Sequence, residues 1–528
     1  MTTPTRRTVL AVMTTALVAP AVARPAAAAT GGEDEFAAAV RDIIGRPEFA
    51  GARWGAVIAR PGADPVYALR PDELFGAGSS SKIFIAATAY STLGPDHRFR
   101  TPVYRTGPVE DGVLHGDLVL VAGGDLVLGG RIQPDGSVRA PEPDHTYPGR
   151  PPGPGDPLAV FRTLAADVAA AGITRVDGHV VVDASLYAET TESAGGVAMT
   201  VSPLTLNDNV IDVTITPGGE PGAPARLTTS PDVGYVSIVN EVVTVAAGGP
   251  PGRPLRYTGD VENADGTRTV TLTGDVPAGA PDFHWNYAVP GPARFGELAF
   301  AHALRAAGVE ARARPASGPA TPAPEHYTRP KRVAEHVSPT LSEVVKVMLK
   351  PSSNVHATGW QYVIGAIAGH DRDDPLAGYA RLRQRLFRRA GLDTDPPGSA
   401  DNDYTPAFFV DFLSFLSRQR WLPEFRPSLA ILGRDGTLTD VSADSPAAGH
   451  VFAKTGTSTR GGGPDTDQDL AKALAGFIER PDGDSLLFGV FVEHTVPAAD
   501  AMEVQKLAGQ AIGDIVAAAY LLLGAETR

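Results

Sequence analysis

The stretch Gly76-Ala77-Gly78-Ser79-Ser80-Ser81-Lys82-Ile83-Phe84-Ile85-Ala86-Ala87-Thr88-Ala89-Tyr90 passes from small residues through a serine triplet and one lysine into an almost wholly apolar run. Residues 79–93 read as one helix, and a helix apolar on every side belongs at the centre of a fold. Ser79 and Lys82 are three apart and share a face of it. A serine hydroxyl becomes a nucleophile when a base removes its proton, and a neutral lysine amine within reach can do so. Apolar surroundings favour the neutral amine. The backbone N–H groups at the start of such a helix favour developing negative charge. The bland alternative is a serine-rich helix cap before a solvated lysine. A phosphate loop does not fit, since it needs glycine before the lysine and Ser or Thr after it, and Ser81 and Ile83 stand there. A dinucleotide fingerprint fails as well, because Ser81 occupies the place of its third glycine.

Working outward, Glu35 to Ile44 have the pattern of an amphipathic helix, and Trp54–Ala59 and Val66–Leu69 read as strands joined by Pro61-Gly62-Ala63-Asp64. Between about 100 and 330 the texture changes to short Val/Leu/Ile/Thr runs separated by Gly, Pro and Asp, which is β-rich. Leu158–Ala171 and Ala293–Ala307 are the helices expected there, and Pro141–Pro157 is a proline-dense loop. Helical spacing returns after 335. Thr340-Leu341-Ser342-Glu343 resembles a capping box opening a helix that must end near Pro351. Gly449–Ala453, Ala473–Glu479 and Leu486–Glu493 read as three successive strands, and Asp500–Leu523 as a long closing helix. The expectation is an α/β domain (30–100 and 330–528) interrupted by a β-rich insertion at 101–329, itself of two subdomains.

The chain has 528 residues, too many for one compact core. With 43% hydrophobic and 20% charged residues it has an ordinary globular composition. The net charge of −14 is the wrong sign for a nucleic-acid binder. The absence of Cys excludes disulfides, a Cys nucleophile and thiolate-held metals. Residues 1–29 read as an export signal. Arg6 and Arg7 precede the apolar Val9–Val22, with small residues suited to cleavage at 21–23 and 26–29. Thr5-Arg6-Arg7-Thr8-Val9-Leu10 also fits a twin-arginine signal. No later segment holds 18 uncharged apolar residues, so no anchor in the mature chain is expected.

Two further motifs carry chemistry. Ser352-Ser353-Asn354, just past the end of the helix at 341–350, offers a hydroxyl to relay a proton and an amide to hold a carbonyl. Lys454-Thr455-Gly456-Thr457, leaving the strand at 451–453, offers a cation, two hydroxyls and a glycine that leaves room beside the backbone, which suits an anionic peptide end. Taken singly, the first reads equally as a turn and the second as a hairpin exit. Lysine occurs only at 82, 331, 346, 350, 454, 472 and 506. Because guanidinium does not deprotonate in proteins, each lysine merits inspection as a proton carrier.

Each of the three motifs occurs once, and in this order they resemble those of the serine penicillin-recognising enzymes. The 270 positions between Lys82 and Ser352 exceed a simple β-lactamase. They resemble the class C low-molecular-mass penicillin-binding proteins, the D-alanyl-D-alanine carboxypeptidase/endopeptidase family S13. Leu114-His115-Gly116-Asp117-Leu118, Gly123-Gly124-Asp125, Asn207-Asp208-Asn209 and Gly433-Arg434-Asp435-Gly436-Thr437-Leu438 share that family's texture. The resemblance implies a transpeptidase/β-lactamase-like fold, an antiparallel sheet flanked by helices with a helical subdomain. It implies Ser79 as nucleophile, Lys82 as its base, Ser352 as proton relay, Lys454 as electrostatic support and Asn354 as orienting amide. It further implies Thr455, Gly456 and Thr457 as substrate-binding residues, with the N–H groups of Ser79 and Thr457 as oxyanion hole. The implied partners are peptidoglycan stem peptides ending in D-Ala-D-Ala, and β-lactams that acylate Ser79. The implied location is outside the cytoplasmic membrane, with no metal or other cofactor. A wall-peptide-binding protein without turnover, and a β-lactamase or esterase on the same fold, are the rival readings. Departures from the family pattern are Ser353 in the second motif, Val441 near an expected Arg, and a long loop expected over Ser458–Asp469.

Overall fold

The computed structural model describes residues 31–524 apart from 141–144, 147–148, 150, 152, 154, 250–251, 317–326, 462–465 and 481–482. The expected export signal lies outside the described residues. Near the start of the chain come helix α1 (Gly31–Ile44), strands β1 (Arg53–Ala59) and β2 (Pro65–Leu69) and helix α2 (Lys82–Thr92). After a long β-rich stretch follow α3 (Asn354–Ile367), α4 (Pro375–Ala390), α5 (Pro406–Leu416), β3 (Ala430–Ile431), β4 (Val451–Arg460), β5 (Gln468–Glu479), β6 (Ser485–Val496) and α6 (Ala501–Leu522). The two ends of the chain share one six-stranded sheet in the order β2-β1-β6-β5-β4-β3, antiparallel throughout.

Alternation of side chains explains why this sheet is covered on both faces. In β1, Trp54, Ala56 and Ile58 join Phe36 and Val40 of α1 and Ile512, Ile515 and Val516 of α6 in one apolar cluster. Val57 and Ala59 face the opposite cluster, with α2, α3, α4 and α5. β5 divides in the same way: Leu474 and Ile478 point toward α6, and Ala473, Ala475 and Phe477 toward α2. Such strands read as continuous apolar runs because both faces are buried.

α2 is buried from Lys82 through Tyr90, as its all-round apolarity requires. Phe84 is its anchor. The rings of Phe387, Tyr404, Phe408, Phe409 and Phe412 lie 5.0–5.9 Å from it. Truncating such a residue typically costs about 3–5 kcal/mol.

The middle of the chain builds further sheets. Arg100–Arg105 pairs with Arg332–Val337 and Leu118–Val121, and the latter runs parallel to Val180–Asp183. Helices Ala159–Ala170 and Pro292–Ala306 pack on this layer through Phe161, Leu164, Phe295 and Phe300. Two three-stranded sheets, around Val210–Thr216 and around Arg268–Pro277, lie farther along.

Three local expectations are corrected. Ser79 sits in a 3-10 turn, Gly78–Ser81, and the α-helix begins only at Lys82. The helix expected at 341–350 is two short ones, Leu341–Val344 and Lys346–Leu349. Glu343 does not close a capping box, since its carboxylate instead receives Lys346 Nζ and the Val138 N–H. The long loop expected after the third motif is shortened, because β4 runs to Arg460 and β5 begins at Gln468.

Candidate active site

Lys82 opens α2 with its side chain buried. A buried amine needs acceptors, and the second motif supplies them. Lys82 Nζ donates to Asn354 Oδ1 at 2.7 Å, to the Ser352 carbonyl oxygen, and to Ser352 Oγ at 3.3 Å. Ser352 adopts φ +66°, a left-handed conformation that costs a non-glycine residue about 1–2 kcal/mol. In that conformation both its carbonyl and its hydroxyl reach the same amine. Asn354 is the first residue of α3, and its Nδ2 donates to Thr146 Oγ1 at 3.2 Å. Ser353, the variable middle residue, is the N-cap of α3, its Oγ accepting the His356 N–H at 3.1 Å. Such caps contribute about 1 kcal/mol. Here the cap fixes the helix end from which Asn354 reaches Lys82.

Ser79 lies half-buried in the turn preceding α2. That turn is moored from several directions. Asn402 accepts the Ala77 N–H through its carbonyl, and its Nδ2 donates to the Gly78 carbonyl at 2.8 Å. Glu493 Oε1 accepts the Gly76 N–H at 2.7 Å, and the same carboxylate pairs with Arg53.

The third motif lies within β4 rather than beyond it. Gly456 packs against the Ala77 carbonyl oxygen so closely that a Cβ there would collide with it. Gly78, at φ +49°, approaches the Thr457 backbone, where an added Cβ would stand 2.6 Å from both the nitrogen and the oxygen. These two glycines bring the Ser79 turn and the third motif into contact. Lys454 is fully buried, and its Nζ donates to the Thr455 carbonyl at 3.0 Å. Thr455 and Thr437 share a hydroxyl hydrogen bond of 2.7 Å, and Thr457 is exposed. β3 pairs only with Phe452 and Ala453, so among the described residues no strand covers the outer edge of β4 from Lys454 onward.

Contacts therefore link all three motifs: Lys82 bonds Ser352 and Asn354, and the Ser79 turn abuts Gly456 and Thr457. Reading the sequence singled out the segment that holds Thr437 without giving that residue a role, and it missed Thr146, Asn402 and Glu493. No local motif marks them, because each acts from a distant segment. It also missed the partner of Lys472, which donates to Thr457 Oγ1 at 2.8 Å. The scarcity of lysine was the available signal.

Behind the second motif lies a buried charge network. Asp208 Oδ2 meets Arg131 at 2.5 Å and His145 Nδ1 at 2.7 Å, Asp208 Oδ1 meets His356 Nε2 at 3.1 Å, and His145 Nε2 meets Asp212 at 3.2 Å. Burial opposes charge on both main members, and pairing wins. Arg131 and the two histidines hold the Asp208 carboxyl well below the ordinary range. Asp208 and Asp212 together push His145 up to about 10.

Residues 36–511 match the D-Ala-D-Ala carboxypeptidase 3 (S13) family. The chain belongs to that family. It is a serine-type carboxypeptidase, a hydrolase on the penicillin-binding-protein fold. The chain is 27% identical over 492 residues to a D-alanyl-D-alanine carboxypeptidase of Actinomadura sp. (strain R39), covering 87% of this chain and 81% of that one. It is 24% identical over 431 residues to a penicillin-sensitive carboxypeptidase A of Dictyostelium discoideum, with 78% of each covered. The crystal structure of penicillin binding protein 4 from Haemophilus influenzae superposes with a TM-score of 0.64 at 18% identity, covering 90% of this chain and 99% of that one. At that identity the likeness establishes the fold. Among the described residues no helix is long and apolar enough to cross a membrane.

Proposed function

We propose that this family member removes the terminal D-Ala from peptidoglycan stem peptides ending in D-Ala-D-Ala, through an acyl-enzyme on Ser79. Residues 30–100 and 330–528 form the catalytic domain in this reading, 101–329 an accessory region, and 1–29 the signal that exports the protein beyond the cytoplasmic membrane. The observation that carries the proposal is the convergence of Ser352 and Asn354 on the buried amine of Lys82, across some 270 positions of chain.

The peptide docks along the open edge of β4, its carboxylate held by the hydroxyls of Thr455 and Thr457. Ser79 Oγ attacks the carbonyl carbon of the penultimate D-Ala while Lys82 Nζ takes its proton. The N–H groups of Ser79 and Thr457 receive the oxyanion, and loss of one such donor typically costs about 10²–10³ in rate. The C–N bond then breaks, the departing amine takes a proton by way of Ser352, and Lys454 steadies the charge as this happens. D-Ala leaves and Ser79 carries the acyl group as an ester. Water hydrolyses that ester, returning the Ser79 hydroxyl and the shortened peptide. A β-lactam carries a carboxylate and a reactive carbonyl in similar relation, so it acylates Ser79 and blocks the site.

The test is labelling with a fluorescent penicillin, for wild type and Ser79→Ala, alongside D-Ala release from a muropeptide. Label and release from wild type, and neither from Ser79→Ala, are the expected results. An unlabelled wild type overturns the mechanism. Label without D-Ala release assigns the site to a β-lactamase, an esterase or a wall-peptide receptor instead.

A further inference from the structure

On the sheet face that carries α6, opposite Ser79, Lys472 of β5 stands directly across from Thr457 of β4. Its ammonium donates to Thr457 Oγ1 at 2.8 Å, and among the described residues it has no ion-pair partner. It lines a cavity of about 460 Å³ between β4, β5, the 436–441 segment and α6. The other charged groups lining that space are Asp440, Glu503 and Lys506, and none of them bonds Lys472. Its cross-strand neighbour on β6 is Val492, and α6 presents Gly509 to it.

A hydroxyl has one proton and two lone pairs. When Thr457 Oγ1 accepts from an ammonium, which has no lone pair to offer in return, its own proton must point elsewhere. Thr457 is exposed on the edge of β4 that no described strand covers, the edge along which the peptide docks in the proposed function, so its proton is free to point there.

We propose that Lys472 is a positioning residue for carboxylate recognition: its ammonium fixes Thr457 as an outward hydrogen-bond donor and places a positive charge behind it, selecting peptides that end in a free carboxylate. This rests on the reading that Thr457 holds the substrate's terminal carboxylate. Burial pushes Lys472 down to about 8. Below that pH it is charged and donates. Above it the neutral amine can accept the Thr457 proton, which then turns inward and is lost to the substrate. Affinity for the carboxylate therefore falls as pH rises through about 8. Arginine stays charged over this range.

The test is an NMR titration of full-length Ser79→Ala, which cannot turn over, with an N-acetylated peptide ending in D-Ala-D-Ala and with its C-terminal amide. Adding Lys472→Gln should weaken binding of the acid about tenfold, as loss of a charge-assisted hydrogen bond implies, and should leave the amide unchanged. Lys472→Arg should restore the acid's affinity and remove its decline above pH 8. Equal weakening of acid and amide, an unchanged affinity for the acid, or no binding of the acid by Ser79→Ala itself would overturn the proposal. Penicillin labelling of the Ser79-intact wild type reports separately on the nucleophile. Labelling with no effect of Lys472→Gln sinks the role of Lys472 alone. An unlabelled wild type whose acid affinity still depends on Lys472 sinks the acyl-enzyme alone.

Discussion

Gly78→Ala tests the contact on which the proposed oxyanion hole depends. At φ +49° an alanine costs about 1–2 kcal/mol of backbone strain. The added Cβ would stand 2.6 Å from the Thr457 nitrogen and oxygen, whereas ordinary contact begins near 3.4 Å. Both colliding atoms are backbone, so no rotamer relieves the overlap, and the turn must part from β4 by about 0.8 Å. In the proposed mechanism the hole is formed across that gap, by the N–H of the next residue, Ser79, and by that of Thr457. A displacement of this order typically costs about 10² in rate, or about 2.7 kcal/mol of transition-state stabilisation. The assay is the second-order rate of fluorescent-penicillin acylation, with D-Ala release as a second readout. Gly391→Ala is the control: its φ of +76° imposes comparable strain at the end of α4, but nothing lies within 4 Å of the added atom. The expectation is a loss of about 100-fold in Gly78→Ala and none in Gly391→Ala, with the larger decrease in melting temperature in Gly78→Ala, which adds a backbone overlap to the strain that both share. Acylation of Gly78→Ala within threefold of wild type would refute the reasoning, as would an equal loss of activity in the control.

Two further outcomes are expected. Glu297 is buried and pairs with Arg294 at 3.0 Å and Arg314 at 3.2 Å, so Glu297→Ala removes the carboxylate that two guanidiniums share and should lower unfolding free energy in urea by about 3 kcal/mol; a loss under about 1 kcal/mol would contradict this. His145 is raised from an ordinary 6.5 to about 10, so its stabilising contribution is fully present below pH 6.5 and is lost as pH climbs from 6.5 to 10. The melting-temperature difference between wild type and His145→Gln should shrink across that window, and a difference that stays constant or widens would count against a charged His145.

The three motifs were legible because their residue types are scarce in this chain and their chemistry is directional. One lysine among seven, spaced three from a serine, is a pattern that few structural requirements produce. The strands at Trp54–Ala59, Ala473–Glu479 and Leu486–Glu493 were equally plain, because each is a nearly continuous apolar run. What the sequence concealed was contact between distant segments. Nothing near Asn402 marks it as the clamp on the Gly78 carbonyl, and nothing near Thr146 marks it as the partner of Asn354. The helix expected at 341–350 shows the opposite failure. Its apolar spacing was right and its cap was not, since Glu343 accepts from Lys346 and the Val138 N–H instead of closing a capping box.

The placement of Ser79 outside α2 has a physical consequence for how the site is held. A helix interior is fixed by its own hydrogen bonds, but a single 3-10 turn is not. Its position must come from its neighbours: Asn402 on the Ala77 N–H and Gly78 carbonyl, Glu493 on the Gly76 N–H, and the Thr457 backbone pressed against Gly78. Lys82, by contrast, is fixed by α2, and through Phe84 by the aromatic cluster below it. The Lys82 N–H bonds the Ser79 carbonyl, but beyond that link the two residues of the proposed mechanism lean on different supports, Ser79 on the sheet edge and Lys82 on the helical core. Damage to the clamps at Asn402 or Glu493 should therefore disturb the alignment of Ser79 while leaving the Lys82–Ser352–Asn354 contacts in place, because those contacts belong to helices that pack without the sheet edge.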